Sequence, residues 1–300
     1  MRISIITVCK NAEKLLRGTM DSVLSQTYPD IEYIVIDGAS TDGTVELLQE
    51  YEQRVQSSHD SRLTSREFRW ISEPDSGIYA AMNKGIGMST GEVMVFLNAG
   101  DTYVSLEMID HVMGDMRKTE GLVFSGSIVI LSPDGRQGEF YNIIDRSFDN
   151  KKEMFRLGLA HPATFYKRSV FKELGYYDEK FKIAGDLEFH MRIVSAGIKI
   201  HKIDRHVAIF LNDGISSSGS FEKLRCAENE TIRRRYSIPE VSSFALREFR
   251  RSVFSDPQHI VSDLKLLLIF LLHPPYLKAR EFLRRVKKKT VSFLEREAGK

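Results

Sequence analysis

Short strand-like runs recur through the first hundred residues, alternating with stretches of helical character, and this alternation restricts the chain to few architectures. Ile3 to Val8, Ile31 to Ile36, Phe68 to Ile71 and Val93 to Leu97 read as strands. After the first, Leu15, Leu16, Met20, Val23 and Leu24 recur at three- and four-residue intervals, up to the Tyr28-Pro29-Asp30 turn. A second helix opens at Thr41-Asp42-Gly43-Thr44, with Asp or Thr as its cap, and a third, cut by glycines, covers Ile78 to Ile86. The pattern predicts an α/β fold with a mostly parallel central sheet, right-handed crossovers and flanking helices.

After Gly121 the pattern changes. Leu122 to Leu131 reads as a strand and Ser132-Pro133-Asp134-Gly135 as a turn, so antiparallel structure is expected next. Ala163 to Tyr166 is one more strand, Arg168 to Leu174 and Asp186 to Ala196 are helices, and Lys199 to Ile203 and His206 to Phe210 are two short strands. Gln53 to Arg66 is polar and reads as an exposed loop or helix end; from about Phe221 the chain reads as helical. The expected division is a domain over residues 1–220 and a helical extension over 221–300.

The net charge of +2 gives no basic excess of the kind a nucleic-acid binder shows. The charge is uneven, however: Lys278 to Lys300 holds nine Lys/Arg against three Glu, so this segment carries +6 and the rest −4. With two cysteines, Cys9 and Cys226, no disulfide framework or thiolate metal site is expected. The first residues lack a secretory signal pattern, and Leu264 to Leu272 is too short to span a bilayer, so a cytoplasmic location is expected. The apolar run followed by the basic one from Lys278 to Lys289 fits either an amphipathic element on an anionic membrane face or a helix with its basic side in water.

Four short clusters carry chemistry: Asp37 to Thr44, Asp75 to Gly85, Asn98-Ala99-Gly100-Asp101, and Ala184-Gly185-Asp186-Leu187-Glu188. Three lie at or just beyond the C-terminal end of a strand, the edge where open α/β sheets collect ligands. Acidic groups gathered there repel one another unless a positive charge sits among them, and a divalent metal carrying a diphosphate is a natural candidate. No Gly-any-Gly-any-any-Gly turn follows the first strand, which disfavours a nucleotide-cofactor oxidoreductase.

Thr7 to Asn11, Ser22 to Pro29 and Tyr33 to Thr44, followed by the Asp75, Asn98 and Gly185-Asp186 segments, resemble glycosyltransferase family 2 over about residues 1–215. The resemblance implies the GT-A nucleotide-sugar fold, with a donor-binding half near 1–120 and an acceptor-side half near 121–220. It also implies inverting transfer from a nucleoside diphosphate sugar, a UDP-sugar favoured, to a hydroxyl on a saccharide or polyprenyl-linked acceptor. The enzyme would build surface polysaccharide or its lipid-linked precursor at the inner face of the plasma membrane; the other reading is a non-catalytic nucleotide-sugar-binding protein of the same fold.

The resemblance also assigns roles. Asp101 is the expected ligand of Mg²⁺ or Mn²⁺; Asn98 stands where relatives carry a first carboxylate and is expected to bond the sugar or ribose. Asp37 is expected to meet the donor base, Thr7 to line the same pocket, and Asp75 to lie on the ribose or base side. Gly77 admits close backbone approach to a ligand. Asn83 and Lys84 are further donor candidates, Lys84 toward phosphate. Asp42 reads as a helix cap, and Ser40 suits either purpose. Asp186 is the expected base that deprotonates the acceptor, with Glu188 as alternative, since residues two apart on a helix do not share a face. His161 and Arg192 are candidates for acceptor or phosphate, against structural roles for both. Asn212 to Gly219 reads as a flap over the donor.

Overall fold

In a computed structural model, residues 1–58, 67–131, 137–141, 151–211 and 221–239 are described. The chain divides into two units, Met1–Phe221 and Glu222–Lys300. In the first unit, strands β1 (Ile3–Cys9) and β2 (Ile31–Asp37) are buried at every position, which is why their sequences run apolar rather than alternating. β2 pairs with β1 and β3 (Glu67–Ser72), and β1 pairs on its other side with β4 (Val93–Phe96), all in parallel. Helices α1 (Glu13–Leu24), α2 (Thr44–Gln56) and α3 (Ile78–Met88) make the crossovers.

Beyond β4 the sheet is mixed, with both antiparallel and parallel pairings. Its order is β3-β2-β1-β4-β8-β6-β9-β5, with β7 (Gln137–Tyr141) added on β6 (Val123–Leu131). β8 (Thr164–Lys167) joins the two halves by pairing antiparallel to both β4 and β6. Helix α4 (Met108–Lys118) leads into β6; α5 (Lys151–Leu157), α6 (Arg168–Leu174) and α7 (Gly185–Ser195) complete this half.

Where two short strands were expected, one long strand, β9 (Ile200–Leu211), runs parallel to β6. Asp204, Arg205 and His206 are exposed in its middle, where the pairing with β6 shifts register. A Cβ on Gly126 would sit 2.5 Å from Val207 Cγ2, so glycine lets the chains cross closely there. The two-residue strand β5 (Thr102–Tyr103) pairs with β9 and lies directly after the Asn98–Asp101 turn.

Helix α1 is capped from outside. The backbone N–H groups of Asn11, Ala12 and Glu13 donate to Ser40 Oγ (2.7 Å), Thr44 Oγ1 (2.9 Å) and Asp42 Oδ2 (3.2 Å), so the loop after β2 satisfies its orphan donors. Asp42 also accepts from Thr44 N at the start of α2. In the second unit, α8 spans Glu222–Arg235. Among the described residues no helix is long and apolar enough to cross a membrane; Leu264 to Lys289 and the Asn212–Gly219 segment lie outside the described residues.

Candidate active site

The chain winds outward from β1 through β2 to β3 and then crosses back to β4 on the other side of β1. The strand order therefore reverses between β1 and β4, the kind of position where loops at strand C-terminal ends leave room for a ligand. Asp37, at the end of β2, is 0% exposed. Its oxygens accept from Ser40 N (2.9 Å), Ser40 Oγ, Ser72 Oγ (2.6 Å) and the Cys9 thiol (3.7 Å). It braces the loops after β1, β2 and β3 and presents no surface to a base. Thr7 is 0% exposed as well; its hydroxyl donates to Leu97 O (2.6 Å) and meets Tyr33 Oη (3.1 Å). Both residues end up inside the sheet edge rather than lining a pocket.

Asp75 folds back on its own loop. Its Oδ1 accepts from Gly77 N at 2.9 Å, and its Oδ2 lies so near Gly38 that a Cβ there would sit 2.6 Å away. Gly77 has φ 137°, a conformation that side chains other than glycine resist. Asn83 is spent on architecture: its amide donates to Tyr177 O (3.0 Å) and Glu179 Oε1 (2.9 Å), and its Oδ1 accepts from Tyr177 N (3.0 Å). Lys84 bonds Pro74 O (3.0 Å) and pairs with Glu73 (2.8 Å). The geometry therefore ties both expected donor contacts to local structure.

The turn after β4 is different. Asp101 N donates to Asn98 O at 3.0 Å, and Gly100 makes the turn possible with φ 101°. Asp101 is 4% exposed, and the hydrogen bond given to its carboxyl is a long one from Leu211 N, 3.4 Å. Burial lifts its carboxyl to about 8, with slight relief from Leu211. Asn98 Oδ1 is buried without a hydrogen-bond partner among the described residues. Two under-satisfied oxygens on one turn are hard donors that suit Mg²⁺ or Mn²⁺. Among the described residues no group of three or more His, Cys, Asp or Glu could hold a metal. A cation here would take its remaining ligands from substrate phosphates and water.

The second center begins α7. Asp186 is half-buried, with Oδ1 accepting from Leu187 N (2.8 Å) and lying 3.1 Å from Tyr79 Oη. Among the described residues no cation pairs with it. Glu188 is 1% exposed and held by Arg192 Nε at 2.9 Å. Arg192 also donates to the carbonyls of Leu174 (2.8 Å) and Tyr176 (2.7 Å) and lies over the Phe189 ring. These contacts commit Glu188 to Arg192 and Arg192 to local structure.

Around Asp186 sit His161, offered by the sequence as an acceptor or phosphate candidate, and three rings it left unassigned, Tyr166, Tyr177 and His190. His161 stacks on Phe96 and bonds Tyr177 Oη at 3.0 Å; His190 bonds Tyr166 Oη at 2.7 Å, and the Tyr166 and Tyr177 hydroxyls act on each other. Burial pushes His161 down, against the pull of Asp186, and pushes His190 down to about 3. One signal was available in sequence: His190 stands four residues after Asp186, on the same helix face. Phe96, the last residue of β4, contacts both the His161 and Tyr177 rings. The cluster beside Asp186 and the Asn98–Asp101 turn are thus built on the same strand end.

The profile of Glycosyl transferase family 2 matches residues 4–175. A PGL/p-HBAD biosynthesis glycosyltransferase of Mycobacterium tuberculosis (strain ATCC 25618 / H37Rv) is 28% identical over 194 residues, covering 64% of this chain and 69% of that one. Among solved structures, S. aureus TarS 1-349 in complex with UDP-GlcNAc superposes with a TM-score of 0.59 at 17% identity, over 91% of this chain and 82% of that one. The mannosyltransferase PcManGT of Pyrobaculum calidifontis, in complex with GDP-Man and Mn²⁺, gives 0.57 at 16% identity, over 92% and 81%.

Proposed function

This chain belongs to glycosyl transferase family 2 and has the GT-A fold, and from that footing we propose that it is a metal-dependent, inverting glycosyltransferase. The observation that carries this reading is the contrast between its buried carboxylates. Glu188 is neutralised by Arg192, whereas buried Asp101 after β4 and half-buried Asp186 at the start of α7 have no cation of their own among the described residues. Carboxylates kept uncompensated at a ligand edge cost stability, and sites that do so are commonly functional.

In this reading a nucleoside diphosphate sugar lies in the crevice with its phosphates at Asn98 and Asp101. A divalent cation held there would offset the charge that develops on the departing diphosphate. Asp186 takes the proton of the acceptor hydroxyl while that oxygen's electron pair forms the new bond at the sugar's anomeric carbon. The bond from that carbon to the phosphate oxygen breaks on the opposite face, so configuration inverts. Fold neighbours captured with UDP-GlcNAc and with GDP-Man and Mn²⁺ support a nucleotide-sugar donor and a metal. The M. tuberculosis relative, named for PGL/p-HBAD biosynthesis, supports a glycolipid setting, and a Bacillus subtilis relative named for teichuronic acid biosynthesis supports a polysaccharide one. A lipid-linked acceptor would suit the apolar and basic run from Leu264 to Lys289.

The test is donor turnover. With Mn²⁺ and a panel of UDP-sugars and GDP-mannose, at least one donor should be hydrolysed slowly, and faster with a matching acceptor. EDTA and Asp101→Asn should each abolish this, and Asp186→Asn should cut it by at least about 10². Donor binding without turnover against every acceptor tried would favour the non-catalytic alternative.

A further inference from the structure

We propose that Tyr79 is the positioning residue of the base: its hydroxyl holds one oxygen of Asp186 so that the other stays directed to the acceptor. This rests on the reading of Asp186 given above, but its physical core is independent of turnover. Tyr79 lies in the first turn of α3, is 4% exposed, and brings its hydroxyl to 3.1 Å from Asp186 Oδ1 and 2.7 Å from Ile183 O. The two acceptors share one phenolic proton. While Asp186 is ionised, the hydroxyl has a charge to donate to, which strengthens that bond. Once Asp186 has taken the acceptor's proton, the phenol can turn its own proton to Ile183 O, so the buried hydroxyl keeps a partner in both states.

Gly185 makes this contact possible. A Cβ at that position would lie 2.7 Å from Tyr79 Cε2 and 2.8 Å from Cδ2, inside the ring's contact surface. The glycine before Asp186 is therefore accounted for by the ring, whereas the backbone alone does not require it, since Gly185 is not among the positive-φ residues. Burial holds the other titratable groups that Asp186 acts on toward their uncharged forms, the histidines pushed down and the tyrosines up: His161 before β8, Tyr166 on β8, Tyr177 in the loop after α6, and His190 on α7 itself. None offers Asp186 a compensating cation. Oδ1 is held by Tyr79 and by Leu187 N, and among the described residues Oδ2 has no partner.

The experiment is a carboxyl titration by ¹³C NMR on the full chain labelled at aspartate, with Asp186 assigned from its missing signal in Asp186→Asn. In Tyr79→Phe the Asp186 midpoint should rise by about one pH unit, since a hydrogen bond to the charged form is lost. Gly185→Ala, which displaces the ring, should move it the same way, and serves if Tyr79→Phe fails to fold. An Asp186 midpoint unchanged in a folded variant overturns the proposal. This readout needs no donor, so it stays separate from failure of the glycosyltransferase reading, which appears as absent turnover in the wild-type protein. Where turnover is measurable, the acid limb of the donor-hydrolysis pH profile should move with the NMR midpoint, while KM for the donor stays unchanged. A fall in rate at all pH values with no movement of the limb would mark Tyr79 as structural only and overturn the positioning role.

Discussion

Asp186 and Glu188 stand two residues apart on α7, and that spacing sends them to different fates. Glu188 turns inward to Arg192, which in turn ties down the carbonyls of Leu174 and Tyr176. Glu188→Gln should therefore lower stability by about 3 kcal/mol, the usual cost of breaking a buried pair, read as a shift in the urea midpoint. Asp186→Asn should instead leave the midpoint almost unmoved and cut turnover by about 10² to 10⁴, the range for loss of a general base. If the two phenotypes were exchanged, the assignment of the base would be wrong. Asp101 gives a related test. Its buried carboxyl has one long hydrogen bond from Leu211 to set against its desolvation. In EDTA, Asp101→Asn should be at least as stable as wild type by thermal melting, while transfer with Mn²⁺ is lost. A marked destabilisation would show that the carboxyl serves the fold.

The elements were the most legible part of this chain, for a physical reason. Strands buried on both faces become continuous apolar runs, so β1, β2 and β4 were placed within a residue or two; β3, half-exposed at the sheet edge, was placed as closely from its Phe68, Trp70 and Ile71. β9 was divided because Asp204 to His206 face solvent at a register shift, and exposed charge there looks like a break in the strand. β5, with two residues, has no period to read. Residue roles were harder. Position at a strand's C-terminal end does not say whether a side chain points into the crevice or into the sheet, and Asp37 and Thr7 point inward. Glu32 escaped attention because a single Glu within an apolar strand has no motif. It is 0% exposed at the opening of β2 and accepts from Ser4 Oγ, Thr90 N (2.7 Å), Thr90 Oγ1 (2.9 Å) and Arg69. Burial is the largest single influence and pushes its carboxyl up, but these donors together outweigh it and hold the carboxyl below its ordinary range. A carboxyl depressed in the folded state stabilises fully above its unfolded value, near 4.3, and that stability is lost as pH falls through the folded value. Urea midpoints should accordingly fall between about pH 5 and pH 3 in wild type and much less in Glu32→Gln. Parallel curves for the two proteins would reject this role.

At the scale of the whole molecule, the sheet positions the proposed site and the charge distribution bears on where it would act. Residues 1–221 form one unit whose pairing is parallel from β3 to β4 and mixed beyond, so the loops proposed to hold the donor gather at one strand edge. Helix α7 brings Asp186, the proposed base, beside the rings that pack on Phe96 at the end of β4. The second unit carries the basic excess, seven Lys/Arg between Lys278 and Lys289 following an apolar run. Each basic residue near an anionic leaflet contributes about 1 kcal/mol, and buried apolar side chains add a term that salt does not screen. Two additive terms make a two-part expectation for a chain truncated before residue 258. It should lose sedimentation with vesicles containing anionic lipid, while the full chain binds these and binds neutral vesicles far less. Raising salt to about 1 M shortens the screening length to roughly 3 Å, so it should weaken but not abolish binding by the full chain. Hydrolysis of a soluble donor by the truncated chain should persist, since the residues proposed for it all precede position 222. Equal sedimentation of full and truncated chains would remove the membrane from the proposal and leave the basic face to solvent.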